Sequence, residues 1–270
     1  MERRSCGGKY LRRGLLLAVI AAPLTAQLVI KLSQQTLNEF EHYVQTVENE
    51  LNARWSGQKP FLALDEDPAE KQRVLAGELF IQQMNKRQPV SITDGLIHDW
   101  FGAIFIPRNT PEQVIQILED FDSHKHIYPE ISRSRTVSRS GFNVTGAWRL
   151  QQKGLVPVIL DVEDTVHFAL VAPGKWKGIA YARDIHEVDT GLFSRGREYP
   201  VGEGHGYLWR LYAYWSLEVL NGGVVAECRT LSLSRDIPTG LGWAVGPYVQ
   251  KQPRESLAST LTNTRKVATR

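Results

Sequence analysis

The sequence predicts an α+β domain, a long antiparallel sheet closed by one C-terminal helix, and three observations carry that expectation. Apolar residues alternate at period two through most of the chain from Leu79 to Arg235. One clear helix interrupts them, opening at Thr110-Pro111-Glu112, a cap followed by proline at the first helical position. The chain then ends on a stripe at helical spacing, Leu257, Leu261, Thr264 and Ala268, with Pro253 taken as its opening residue. A sheet backed by one helical layer needs a single apolar face, and alternation supplies it.

Residues 1–26 read as a signal peptide or an uncleaved membrane anchor. Arg3, Arg4, Lys9, Arg12 and Arg13 stand against Glu2 alone, ahead of an apolar run from Leu15 to Ala22 and a small-residue segment ending at Ala26. The apolar character resumes at Leu28-Val29-Ile30, which keeps the anchor open as an alternative. In both cases the rest of the chain is expected outside the cytoplasm, either periplasmic or secreted, or tethered to the outer face of the membrane. The leader holds more than the whole formal excess of +3, so the remainder is slightly acidic and makes no electrostatic case for nucleic acid. Two cysteines, Cys6 and Cys228, form no disulfide framework, and Cys228 reads as a small buried apolar residue.

Residues 27–77 read as a helical extension and a connector. Leu37, Phe40, Val44, Val47 and Leu51 recur at spacings of three and four, one stripe of an amphipathic helix. Glu39, Glu41, Glu48 and Glu50 argue against an anionic membrane as its partner, so the helix is expected to lie on its own domain. Residues 56–73, with Pro60, Asp65-Glu66-Asp67 and Pro68, read as a polar connector.

Residues 78–270 form the main domain, with strands expected over 78–84, 95–106, 131–139, 142–152, 158–171, 177–189, 206–220 and 223–235. Asn221-Gly222 suits a type I′ hairpin turn. That register sets Trp209, Trp215 and Leu217 on one face with Val224, Ala226 and Cys228, and sets Glu227 and Arg229 on the other beside Ser216 and Tyr214. The same treatment turns Trp148 and Phe168 inward, together with Asp164, an acidic exception. It also turns Ile179, Tyr181, Arg183 and Ile185 inward, which would bring Arg183 against Asp164, with Gly146 leaving space beside the pair. Such a pair reads equally as a self-satisfied internal ion pair and as a ligand-orienting group.

The order of elements over 78–268 resembles the START-like helix-grip superfamily. So do Gly95-Leu96-Ile97-His98-Asp99-Trp100 with Phe105-Ile106-Pro107, Asp120-Phe121-Asp122 before Tyr128-Pro129-Glu130, Gly206-Tyr207-Leu208-Trp209-Arg210, and Leu231-Ser232-Leu233-Ser234-Arg235-Asp236-Ile237-Pro238. The likeness is greatest to an exported bacterial branch related to polyketide cyclases and coenzyme Q-binding proteins. It implies a curved sheet gripping the last helix, with a hydrophobic cavity between them. The candidate ligand-binding residues are then His98, Trp100, Trp148, Asp164, Phe168, Tyr181, Arg183, Trp209 and Trp215.

No nucleophile elbow, zinc-protease helix, P-loop or paired C-x-x-C motif occurs in the sequence. His124 and His126, near Asp120, Asp122 and Glu130, follow a helix in a polar stretch and read as a solvated turn, so no metal or cofactor is expected. Two functions compete. One is non-catalytic binding or transport of a lipid, isoprenoid or quinone-like molecule, which needs only an apolar cavity and a few polar groups. The other is an enzyme of the cyclase, dehydratase or hydrolase type, with His98 or Asp164 as acid or base. The absence of a catalytic constellation favours the carrier.

Overall fold

The computed structural model describes residues 29–85, 89–152, 157–190, 196–236 and 242–270, with side chains in the last helix from residue 251 onward. The predicted leader lies outside the described residues. A short strand β1 (Ile30–Lys31) and helix α1 (Gln34–Trp55) come first. A 3₁₀ turn at Ala63–Glu66 and α2 (Pro68–Leu75) follow. Strands β2 (Phe80–Gln83), β3 (Val90–Ile92) and β4 (Gly95–Pro107) lead into α3 (Pro111–Glu119) and α4 (Phe121–Ile127). Then come β5 (Ile131–Ser140), β6 (Asn143–Gln152), β7 (Val158–Ala172), β8 (Lys175–Glu187), β9 (Glu203–Gly204), β10 (Arg210–Leu220) and β11 (Gly223–Arg235), and the chain closes with α5 (Gly242–Ala268). The main sheet is antiparallel, in the order β2-β4-β11-β10-β8-β7-β6-β5, with β3 also beside β4. Helix α5 lies against β4 and β11, the helix-grip arrangement.

Local sequence accounts for most boundaries. Thr110 caps α3, and Gln113 reaches back to the Thr110 backbone N–H, a reciprocal capping box. Asp120 leaves helical geometry at ψ 73°, so the single helix expected here is split into α3 and α4. Helix α5 begins well before Pro253, because a proline deletes one intrahelical bond without ending the segments on either side. Asn221 and Gly222 take φ of 50° and 73°, as a type I′ turn requires, and the predicted pairs Ser216–Glu227 and Tyr214–Arg229 follow.

The sheet differs from expectation in being covered on both faces. Beneath α5, α3 and α4 lies one core, with Ile104, Ile106, Phe121, Phe168, Trp215, Leu217, Leu257 and Leu261. The opposite face carries a second core, in which Phe40, Val44, Val47, Leu51 and Trp55 of α1 meet Ile97, Tyr212, Tyr214, Leu231 and Leu233. Phe61, Leu62 and Leu64 are buried in this core too, so the predicted connector is tied down rather than loose.

Polar groups complete the docking of α1. Arg229 donates through Nε and Nη2 to both oxygens of Asp99 at 2.9 and 2.8 Å, and through Nη1 to Glu50 at 2.8 Å. Tyr43 donates to Asp99 at 2.7 Å, Tyr181 and Tyr214 donate to Glu48, and Tyr212 donates to Glu41. The Glu227 carboxylate accepts the backbone N–H groups of Ala63 and Leu64, both at 2.9 Å, and burial pushes its pKa up to about 7. Glu227 therefore faces the 3₁₀ turn and Arg229 faces α1, whereas alternation alone placed both on an outer surface.

Two bulges correct the faces assigned to β8. An uninterrupted hairpin from Ala172–Lys175 would set Asp164 opposite Arg183. The register instead slips between Leu170 and Ala172, so Phe168 pairs with Gly178 and Asp164 with Ala182. A one-residue slip exchanges the faces of a strand. Ala180 and Ala182 consequently point toward α5, while Ile179 and Tyr181 join the α1 core and Arg183 stacks on Tyr181 and Tyr212. A second slip between Glu163 and Asp164 restores the phase, and Ile185 faces inward as expected.

Candidate functional site: the cleft between sheet and last helix

The registers assemble the inner face into rows that run across the strands. One row is Gly146, Asp164, Ala182, Leu211, Ser232 and His98. The next is Val144, Val166, Ala180, Ala213, Thr230 and Trp100, and a third contains Phe168, Gly178, Trp215, Cys228 and Gly102.

Helix α5 closes the third row. Leu257 and Leu261 lie directly on Gly102, where a Cβ would come within 2.7 Å of Leu261 Cδ1, and the Phe168 ring lies against Gly178. Phe168, Trp215 and Cys228 are buried there. Gly146, expected to leave open space, is covered by the ring of Phe121.

The first two rows are different. Leu211, Ala213 and Thr230 stand in the middle of the sheet, and each is only half-buried, as are Trp100 and Asp164. A residue flanked by strands on both sides is reached only from the face, so this partial exposure marks a part of the inner face that the described helical side chains leave uncovered. Its centre is lined by small side chains, Ala180, Ala182 and Ala213, with Trp100 toward one side and Trp148 toward the other.

Polar groups at its edges lack protein partners. Asp164 Oδ1, His98 Nδ1 and Trp100 Nε1 are shut off from solvent without a hydrogen bond. Burial pushes the Asp164 carboxyl up to about 7 and the His98 imidazole down to about 4. Native polar groups in this state call for an explanation, and a ligand is one.

Of the nine residues expected to bind ligand, His98, Trp100, Trp148, Asp164, Phe168 and Trp215 share the inner face, Phe168 and Trp215 within its closed part. Tyr181, Arg183 and Trp209 lie on the other side. Tyr181 and Arg183 were turned by the β7–β8 bulge. Trp209 precedes the first residue of β10, where alternation no longer holds. The proposed Asp164–Arg183 ion pair does not form, and Arg183 Nε donates to Tyr212 at 2.9 Å instead. Sequence reasoning missed Leu211, Ala213 and Thr230 as lining. For Ala213 and Thr230 the signal was size, small residues at mid-strand, with Thr230 opposite Trp100.

His124 and His126, expected in a solvated turn, lie in helix α4, and His124 is buried. His124 Nε2 lies 3.2 Å from the Ile117 carbonyl and its ring packs on Phe121 and Tyr128. Among the described residues no group of three metal-ligating side chains assembles.

No family model and no curated protein matches the chain. Solved structures do. A STAR-related lipid transfer protein fragment from Xanthomonas axonopodis is 14% identical, with a TM-score of 0.44, 65% of this chain covered and 96% of that one. Human STARD10 is 8% identical with a TM-score of 0.42, covering 75% of this chain and 80% of that one. The Zhui aromatase/cyclase from Streptomyces sp. R1128 is 8% identical with a TM-score of 0.41, over 64% of this chain and 93% of that one. The chain is thus similar to START-type proteins, lipid-transfer proteins and aromatase/cyclases among them, at low sequence identity.

Proposed function

We propose that the protein binds and carries a hydrophobic small molecule, of lipid, isoprenoid or quinone type, in the cleft between the inner face of the sheet and α5. The observation that carries this reading is the partial exposure of Leu211, Ala213 and Thr230 in the middle of a sheet face otherwise covered by α3, α4 and α5. An apolar space with a few polar groups at its edge is what a carrier of such molecules needs. The protein, purified without detergent, is expected to retain or take up an apolar molecule, detected by native mass spectrometry. Ala213→Trp fills the middle row and should abolish uptake in a protein that still folds. Equal uptake by this variant would move the ligand elsewhere.

One observation favours an enzyme: a carboxyl with a pKa of about 7 facing the cleft is poised for general acid–base work. Its distance from His98 weighs against that reading. The two stand four strand spacings apart in one row, about 19 Å along the sheet, too far to act on one bond. Asp164 would have to act alone.

The leader supports a location as well. We infer that residues 1–26 take the domain across a membrane, after which the leader is removed or holds it there. Among the described residues no helix is long and apolar enough to span a bilayer, so tethering would fall to the leader. Alkaline phosphatase fused after residue 60 is expected to be active in cells. An inactive reporter in the cytosolic fraction would refute export.

A further inference from the structure

We propose that the cleft selects an uncharged amphiphile with a hydroxylated head, held at His98 Nδ1 and Trp100 Nε1, over an anionic lipid. This rests on the carrier reading and narrows its ligand.

Ser234 has a single hydroxyl hydrogen, which it donates to the Arg235 carbonyl at 3.2 Å. Toward His98 Nε2, 3.0 Å away, Ser234 Oγ is therefore an acceptor, and the imidazole hydrogen sits on Nε2. His98 Nδ1 is then a bare lone pair, buried and without a partner, that calls for a donor. Trp100 Nε1 is the reverse, a buried N–H without an acceptor. The two residues face the same side of β4 two positions apart, about 7 Å along the strand. A hydroxylated head meets both needs, donating to Nδ1 and offering oxygen to Nε1. A carboxylate or phosphate has no hydrogen for Nδ1.

Charge points the same way. No arginine or lysine stands among the inner-face residues of the three rows, since Arg183 and Arg229 both face α1. Among these residues an anionic head would find no counter-ion, and Asp164 would face it from the other end of the His98 row. A neutral head carries no such cost.

The test compares three probes of one apolar skeleton: farnesol, farnesyl methyl ether and farnesoic acid. Each is titrated into the delipidated full-length protein by competition against a fluorescent fatty alcohol. The alcohol should bind at least ~10-fold more tightly than the acid, and ~10-fold more tightly than the ether, which has lost its donor. His98→Phe should erase the difference between alcohol and ether while leaving ether affinity intact. Should His98→Phe not fold, Trp100→Phe gives the second reading and should weaken alcohol and ether alike. Acid binding as tight as the alcohol, an alcohol preference that survives His98→Phe, or undiminished alcohol and ether binding by Trp100→Phe overturns the proposal while the carrier reading stands. Failure of all three probes to bind overturns both.

Discussion

Asp164→Asn should stabilise the protein at pH 8 by about 2 kcal/mol, against a ceiling of ~4 kcal/mol set by a carboxyl pushed from its ordinary value to about 7. Because the folded protein holds the Asp164 proton more tightly than the unfolded chain, stability is fully present below the unfolded pKa. It falls as pH rises toward the folded value. The parent should therefore lose stability between about pH 4 and pH 7, and the variant should lose less. Glu227, also raised to about 7 by burial, titrates in the same window and keeps part of the slope in the variant. The asparagine still buries an amide, which is why the gain falls short of the ceiling. Urea unfolding at pH 5 and pH 8 makes the comparison. An Asn variant less stable than the parent at pH 8 would mean that Asp164 is ionised and partnered. The ion pair with Arg183 expected from alternation required that opposite sign, and the bulge between Leu170 and Ala172 is what reverses it.

The second large effect is on the other face. Asp99 is 1% exposed, and Arg229 engages both of its oxygens. Arg229→Met leaves that carboxylate, and Glu50 beside it, without their cation, and should cost about 3–5 kcal/mol. The double variant Arg229→Met/Asp99→Asn should recover at least half, since an uncharged amide can still accept from Tyr43. A double variant no more stable than Arg229→Met alone would place the loss in packing rather than in the stranded charge.

Much of the sheet was legible because its signals are local. The Asn221-Gly222 turn fixes the β10–β11 register from two residues, and Thr110-Pro111 fixes the start of α3. Face assignments depend on strict alternation, and they failed where a bulge or an early strand end broke it, at Tyr181, Arg183 and Trp209. The second covering layer was half visible. The stripe of α1 demanded an apolar surface, and Leu231 and Leu233 share a face with Glu227 and Arg229. What alternation hides is that a charged residue on an apolar face can be answered from another element. Glu50, flanking the α1 stripe, was that answer for Arg229, and the backbone of the 3₁₀ turn was the answer for Glu227. Within the cleft, His98 and Asp164 could be read as inward from the sequence. The tautomer of His98 could not, because it depends on a serine that only folding brings beside it.

The docking of α1 also bears on the order in which the chain is made. The helix is synthesised early, yet its partners are Asp99, Tyr181, Tyr212, Tyr214 and Arg229, up to 179 residues further along. Until β11 has left the ribosome there is no complete surface to receive it. A helix that bound only through Phe40, Val44, Val47 and Leu51 would spend that interval as an exposed apolar ribbon. The carboxylates beside the stripe keep the waiting helix wet, and they are the same groups that hold it once the last strand arrives.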